Sequence, residues 1–123
     1  MLETDQGFFV KLGDGAGDFK PIAHMYKTQV FQLAEYHGVP EEIRLRPPSV
    51  DIHSLAQGQD EFFFVLPYEK MDACVYGELK RIPAEEVAAA IGLEADVVGR
   101  FYRNIAARRT PTKYLRAQPQ YPR

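Results

Sequence analysis

Residues 13–18 are the first stretch whose composition could do chemistry, and they read GDGAGD. Glycines let a backbone approach a ligand closely, and the carboxylates of Asp14 and Asp18 could accept hydrogen bonds from ribose hydroxyls or contact a cation. The stretch lacks both the Gly-Lys-Ser/Thr ending of a Walker A loop and the Gly-x-Gly-x-x-Gly spacing of dinucleotide folds. It indicates either a ligand-contacting loop or a tight surface turn, and composition alone favours the turn.

Lys27 and Ser49 are two further candidates. Lys27 falls at the start of a predicted helix, where the positive end of the helix dipole disfavours a cation. This placement suggests a nearby anion, and phosphate would suit both the lysine and a helix N-terminus. An ordinary solvated lysine explains it equally well. Ser49 follows Pro47 and Pro48, which stiffen the backbone before its hydroxyl, although a plain loop serine would look the same.

No catalytic set of side chains is evident in the sequence. The histidines His24, His37 and His53 lack the spacing of a metal site, and a single cysteine indicates no zinc site. We expect the histidines to be structural or exposed. Cys74 lies among apolar neighbours on a predicted helix, so we interpret it as a small buried hydrophobe and not as a nucleophile.

Composition excludes several classes of protein. The 123 residues, 46% hydrophobic and 26% charged, fit one small globular domain. A net charge of −2 gives no general reason to expect nucleic acid or an anionic membrane as partner. The longest apolar runs, such as residues 62–66, are far shorter than the ~20 residues of a membrane helix. The single cysteine fits a reducing compartment, so we expect the cytoplasm.

The elements that would position these residues are mostly helical. Apolar residues at helical spacing, with proline and glycine at the boundaries, predict helices over residues 26–37, 67–77, 83–91 and 94–109. Gly77 and Gly92 are interpreted as the ends of the second and third helices. Residues 19–23 are predicted to be extended, residues 47–58 a loop, and residues 110–123, which hold three prolines, an irregular tail.

A resemblance to the NAD+ synthase family lies in residues 7–51, which read GFFVKLGDGAGDFKPIAHMYKTQVFQLAEYHGVPEEIRLRPPSVD. The family's order and spacing are followed by Gly-Asp-Gly before an Asp, Pro-Ile, Tyr-Lys-Thr-Gln-Val, Gly-Val-Pro-Glu-Glu-Ile and Pro-Pro-Ser. The resemblance implies an ATP-dependent amide ligase, in which ATP adenylates deamido-NAD, ammonia displaces AMP, and magnesium neutralises the phosphates. It also implies an α/β fold of the adenine-nucleotide alpha-hydrolase (Rossmann-like) type, with this chain as a mostly helical portion containing at most one or two short strands.

The resemblance also implies roles for individual residues by position. They are a magnesium-binding glutamate at Glu3, deamido-NAD contacts at Lys11, Asp18 and Arg108, and ATP contacts at Lys27 and Ser49. Such roles are chemically sensible, because adenylation needs cations beside the triphosphate and polar groups that orient the carboxylate. Arg108 follows Ala107 where the family has a His-Lys pair, so the charge is kept and the histidine is not. No side chain is assigned as catalytic.

By the same resemblance, residues 1–123 would be the C-terminal portion of a synthase domain. Residues 1–51 would form a nucleotide-site segment, residues 67–109 a helical segment and residues 110–123 the tail. The family's Ser-Gly-Gly-x-Asp-Ser loop, which grips pyrophosphate, is absent from these residues. We therefore expect the chain alone to be inactive, to need the missing N-terminal half, and to form a homodimer or higher oligomer because part of a sheet leaves faces uncovered.

Two alternatives come from other classes of protein. Ala88, Gly92 and Val98 fit the spacing of a DNA-binding helix-turn-helix, and four arginines follow on the second helix: Arg100, Arg103, Arg108 and Arg109. An acidic pI of about 5.9 argues against strong non-specific DNA affinity, so nucleic acid is the less favoured partner. The other alternative is a non-catalytic assembly domain with a vestigial nucleotide site.

Overall fold

The computed structural model of the chain describes Gly13, residues 16–46 and residues 66–117. These residues form five α-helices and one 3₁₀ helix and contain no strand: α1 (Lys27–Tyr36), α2 (Glu41–Arg44), α3 (Tyr68–Lys80), α4 (Ala84–Ile91), α5 (Ala95–Arg109) and the 3₁₀ helix Lys113–Arg116. The predictions of α1, α4 and α5 are confirmed to within one residue at each end. No helix within these ranges is both long and apolar enough to cross a membrane.

Prolines begin three of these helices. Pro40, Pro67 and Pro83 are the N-caps of α2, α3 and α4, and each has a φ between −50° and −57°. A fixed φ near that of a helix prepares the backbone for the first turn. The short helix α2 was not predicted, although Pro40 carries the same signal that identified the starts of α3 and α4. Its four residues are too few to show a helical period.

The prediction that α3 ends at Gly77 is wrong. The helix continues to Lys80 and ends at Arg81, which has a left-handed φ of 57°. Gly77 is buried, and a Cβ built on it would meet the Tyr102 hydroxyl and lie 2.6 Å from Cγ2 of Val87. This glycine therefore permits close packing of α4 and α5 on α3, whereas Gly92, with a φ of 64°, does end α4 as predicted.

Helix α3 runs through the middle of the described core and takes part in both of its hydrophobic clusters. On one face Met71 and Val75 pack with Ile105 of α5, and on the other Cys74 packs with Val98 of α5 and with Val87 and Ala88 of α4. The Tyr102 hydroxyl donates a hydrogen bond to the carbonyl oxygen of Ile82 at 3.2 Å, linking α5 to the α3–α4 connection. The helical segment is thus one packed unit.

Two predictions for irregular regions need correction. Residues 19–23 are not extended, because the Ala23 N–H donates to the Lys20 carbonyl and the Met25 N–H to the Ile22 carbonyl, which closes successive turns. The tail contains a 3₁₀ helix, Lys113–Arg116, after a turn in which Thr112 Oγ1 donates a hydrogen bond of 2.7 Å to the Arg108 carbonyl. The predicted loop at residues 47–58 lies outside the described residues.

Candidate functional site at the start of helix α1

Lys27 is the first residue of α1, as predicted, and it is half-buried. Its ammonium lies 5.7 Å from the centroid of the Tyr68 ring, at the first residue of α3. A cation over an aromatic face at this distance is attracted by the ring quadrupole. The side chain of Lys27 is therefore oriented by a partner from a different helix, unlike that of an ordinary solvated lysine.

Asp72 is a residue of this site that the sequence analysis missed. Its Oδ2 accepts two hydrogen bonds from Thr28, the second residue of α1: one from the backbone N–H and one from the side-chain hydroxyl, both at 2.8 Å. Only 6% of Asp72 is exposed, and its Oδ1 has no hydrogen-bond partner within the described ranges. A carboxylate of α3 thus caps the N-terminus of α1, where the helix dipole favours negative charge.

A signal for Asp72 was present in the sequence. The residue falls between Tyr68 and Val75 at helical spacing, so it is a carboxylate inside an otherwise apolar stripe. A buried charge of that kind requires a partner. The partner could not be named from the sequence, because Thr28 is 44 positions away.

This cap weakens the case for a phosphate at the start of α1. The Thr28 N–H is already occupied by Asp72, and Asp72 supplies the negative charge that the helix end and Lys27 both favour. The position of Lys27 at a helix N-terminus therefore does not itself require an anionic ligand. A phosphate near this point would be bound by the ammonium of Lys27 and not by the Thr28 amide.

A groove of about 850 Å³ begins beside this cap, between α1, the end of α2 and the start of α3. Its lining includes Thr28, Phe31 and Tyr68. Arg44 also lines it and is held by an ion pair of 3.4 Å to Glu35. Its lining combines apolar side chains with four charged ones, Glu35, Arg44, Arg46 and Glu69.

The other predicted site residues are scattered or undescribed. Asp18 is exposed on the segment before α1, and Arg108 is in the last turn of α5. Glu3, Lys11 and Ser49 lie outside the described residues. Among the predicted site residues, Lys27 contacts Tyr68 of α3.

The described histidines and Cys74 lie as the sequence predicts. His24 and His37 are exposed, as predicted, and His53 is outside the described ranges. Cys74 is fully buried, as predicted, and burial raises the pKa of its thiol from 9.0 to about 11, the direction opposite to that of an activated nucleophile. The described part of the chain contains no group of three or more His, Cys, Asp or Glu side chains that could hold a metal ion.

Three of the four arginines on α5 have described acidic partners on the protein. Arg100 Nε lies 3.2 Å and Arg103 Nη2 lies 4.0 Å from oxygens of Asp96. Arg109 Nη1 lies 2.6 Å from Glu78 Oε2. The connection at Gly92 has the left-handed glycine that a helix-turn-helix would have, but the basic charge that would face DNA is in part neutralised within the protein.

A comparison with protein families shows which family the chain belongs to. The family described as NAD synthase matches residues 1–119 of the chain. The chain belongs to the NAD synthase family. The match includes α1 and α3, and therefore both Lys27 and Asp72, the partner of Thr28.

Individual relatives in the NAD synthase family bear the name "NH(3)-dependent NAD(+) synthetase". The chain is 56% identical to the protein of that name from Mesorhizobium japonicum over 118 residues, which cover 96% of this chain and 37% of the relative. It is 55% identical to the one from Rhizobium meliloti, over 97% of this chain and 36% of the relative. For Sulfolobus acidocaldarius the identity is 39% over 80% of this chain and 35% of the relative. The chain thus spans little more than a third of the length of these relatives.

Proposed function

We propose that the chain contributes to an NAD+ synthase that amidates deamido-NAD with ammonia at the expense of ATP. In this reaction a carboxylate oxygen of deamido-NAD attacks the α-phosphorus of ATP and releases pyrophosphate. Ammonia then attacks the acyl carbon of the adenylate, an amide bond forms, and AMP leaves. The observation that carries the proposal is the family match over residues 1–119, together with the names of relatives that are 55% and 56% identical.

We assign Lys27 and Ser49 to ATP, and Lys11, Asp18 and Arg108 to deamido-NAD. Magnesium, when bound, would neutralise phosphate charge, and Glu3 is the residue assigned to it. Glu3 is not among the described residues, and no metal-ligating cluster occurs in those that are, so the remaining roles are argued from protein side chains alone. Among these residues, Lys27 is half-buried and contacts an aromatic ring on another helix, that of Tyr68.

The chemistry available to Lys27 is electrostatic. Negative charge develops on the pyrophosphate as it leaves, and a lysine ammonium held near it favours the transition state over the bound substrate. Lys27 is half-buried and lies against the Tyr68 ring, so part of the cost of orienting its long side chain is already met before ATP binds. This arrangement supports the assignment to ATP.

The experiment compares two variants of an enzyme assembled from this chain and the segment of the relatives that it does not span. Lys27→Ala removes a charge-assisted contact and should lower kcat/KM by roughly ten- to a hundredfold. The loss should appear as a weaker affinity for ATP. Asp18→Ala should raise the KM for deamido-NAD and leave the affinity for ATP nearly unchanged. Steady-state kinetics with each substrate varied in turn measures both effects.

Lys80 provides the matched control. Its ammonium also lies over a tyrosine ring, at 5.9 Å from the centroid of Tyr76, but it is assigned to no ligand. Lys80→Ala should therefore leave kcat/KM within about twofold of the parent value, since it removes only an exposed cation–π contact. Equal losses for Lys27→Ala and Lys80→Ala, or a loss explained by a lower melting temperature, would contradict the ATP role of Lys27.

We also propose that the helices form part of a parallel α/β fold of the adenine-nucleotide alpha-hydrolase type, and that the chain forms a homodimer or higher oligomer. Large apolar side chains exposed on α1, α2 and the residue after α2 support the oligomer: Tyr36 is 84%, Ile43 62% and Leu45 65% exposed. Exposed large apolar side chains mark an interaction site where they form one patch, which is what this proposal requires of these three. Light scattering at micromolar concentration should give at least twice the monomer mass of 14.0 kDa. A compact monomer would contradict the proposal.

A further inference from the structure

We infer that Asp72 is a positioning residue for Lys27, holding the start of α1 so that the ammonium of Lys27 is presented to ATP phosphate. The inference rests on the proposed function, because it needs the ATP role of Lys27. No contact between Asp72 and substrate is invoked. Asp72 acts through Thr28, the neighbour of Lys27 in the chain.

The geometry is a two-point attachment between α1 and α3. Asp72 and Tyr68 are four residues apart on α3 and therefore lie one turn apart on the same face. Thr28 binds the first of them through two hydrogen bonds, and Lys27 lies over the second. Two adjacent residues of α1 are thus held by two adjacent turns of α3, which fixes both the position and the rotation of the helix start.

The two hydrogen bonds to Asp72 specify direction as well as distance. The backbone N–H of Thr28 points along the axis of α1, whereas its hydroxyl projects from the side of the helix, and both end on the same oxygen, Oδ2. A carboxylate that accepts both at 2.8 Å restricts how α1 can slide or turn against α3. Because Lys27 is one residue before Thr28, the position of its Cα is restricted as well.

Burial offsets part of the stability that Asp72 provides as a cap, so stability alone does not explain its placement. The residue is 94% buried by its 6% exposure, and Oδ1 has no partner among the residues that the structure describes. Removing a carboxylate from water is costly, and apolar side chains in place of buried charges are often neutral or stabilising. A site that needs a fixed lysine accounts for this cost, since pre-organised charge is what electrostatic catalysis requires.

A double-mutant cycle tests the inference in the same assembled enzyme. Asp72→Ala should raise the KM for ATP and lower kcat/KM by roughly tenfold, with the KM for deamido-NAD unchanged. In a Lys27→Ala background the same change should cost less than about twofold, because the residue through which Asp72 acts is gone. Asp72→Asn retains an oxygen that can accept from Thr28 and should recover most of the activity. The control is Asp96→Ala, which removes an exposed aspartate of α5 and should have no effect.

The possible outcomes separate the positioning role of Asp72 from the ATP role of Lys27. Additive losses in the cycle, or an equal loss for both substrates, would overturn the positioning role while leaving the proposed function intact. No loss from Lys27→Ala would instead reject the ATP role of Lys27, and the positioning role with it. If Asp72→Ala does not fold, Thr28→Val replaces it in the cycle, since it deletes only the hydroxyl donor.

A second measurement needs no activity. In the 123-residue chain, protons on Cε of Lys27 should be shifted by the Tyr68 ring current, and NMR can follow that shift. Asp72→Ala should reduce the shift, and Asp72→Asn should largely preserve it. An unchanged shift in Asp72→Ala would show that Tyr68 alone orients Lys27, which would overturn the inference.

Discussion

Helices α3, α4 and α5 contain all the buried side chains of the described residues, whereas α1 and α2 contain none. Both regions belong to the same family match, yet only one of them forms a core. The region that carries Lys27 is attached to that core by a few contacts at one edge of α3. The core is thus formed by α3 to α5, whereas Lys27 lies on a helix with no buried side chain.

The attachment is polar and aromatic, in contrast to the aliphatic packing of the core. Phe31 meets Tyr68 and Tyr26 meets Tyr76, each edge-to-face with ring centroids 6.4 Å apart. Asp72 adds the two hydrogen bonds to Thr28. Such directional contacts fix the orientation of α1 although none of its side chains is buried, so a change in α1 should affect the proposed site far more than the free energy of unfolding.

The largest expected effect contrasts two isoleucines. Ile105 is 1% exposed in the α3–α5 core, so Ile105→Ala should lower the free energy of unfolding by ~2–5 kcal/mol through lost burial and the cavity left behind. Ile43 lies on α2 and is largely exposed, so Ile43→Ala should change it by less than ~0.5 kcal/mol. Urea unfolding followed by circular dichroism measures both. Similar losses would remove the distinction between the regions.

The reactivity of the Cys74 thiol tests whether the core around it is buried. With a pKa of about 11 in the fold against 9.0 ordinarily, its thiolate population at pH 8 is about a hundredfold lower than in the unfolded chain. Ellman's reagent should therefore react at least a hundredfold more slowly with the folded chain than in urea. The raised pKa also means that the unfolded thiol ionises first, so stability should fall as the pH rises from about 9 to about 11. Comparable rates in both states would contradict the burial.

A smaller effect separates two helical glycines. Gly77→Ala places a Cβ 2.6 Å from Val87 Cγ2, an overlap that should cost ~1–3 kcal/mol despite the better helix propensity of alanine. At Gly99 the nearest atom is the mobile Arg103 Nη1 at 3.5 Å, so Gly99→Ala should stabilise the fold by ~0.5–1 kcal/mol. Melting temperatures should shift in opposite directions. A shift of the same sign for both would show that the packing at Gly77 can relax.

Local signals in the sequence predicted α1, α4 and α5, because apolar spacing and the capping proline and glycine agree there. The same glycine rule failed at Gly77, where a neighbouring helix and not the local backbone decides the residue. For the candidate site, the type and position of Lys27 could be interpreted from the family motif. Its cap could not, because the pairing of Asp72 with Thr28 becomes recognisable only when α1 and α3 are side by side. Tertiary contacts, unlike helix ends, have no local pattern.

The cap that joins Thr28 to Asp72 also has a consequence for the order of folding. The hydrogen bond of Tyr102 to Ile82 spans 20 positions, but the cap closes a segment of 44 positions. Longer loops close with a larger entropic cost and later in folding. Helices α3 to α5 can therefore assemble first, with α1 docking on their finished surface. In native-state hydrogen exchange, the α1 amides should open in a separate, less protected unit while those of α3 stay closed.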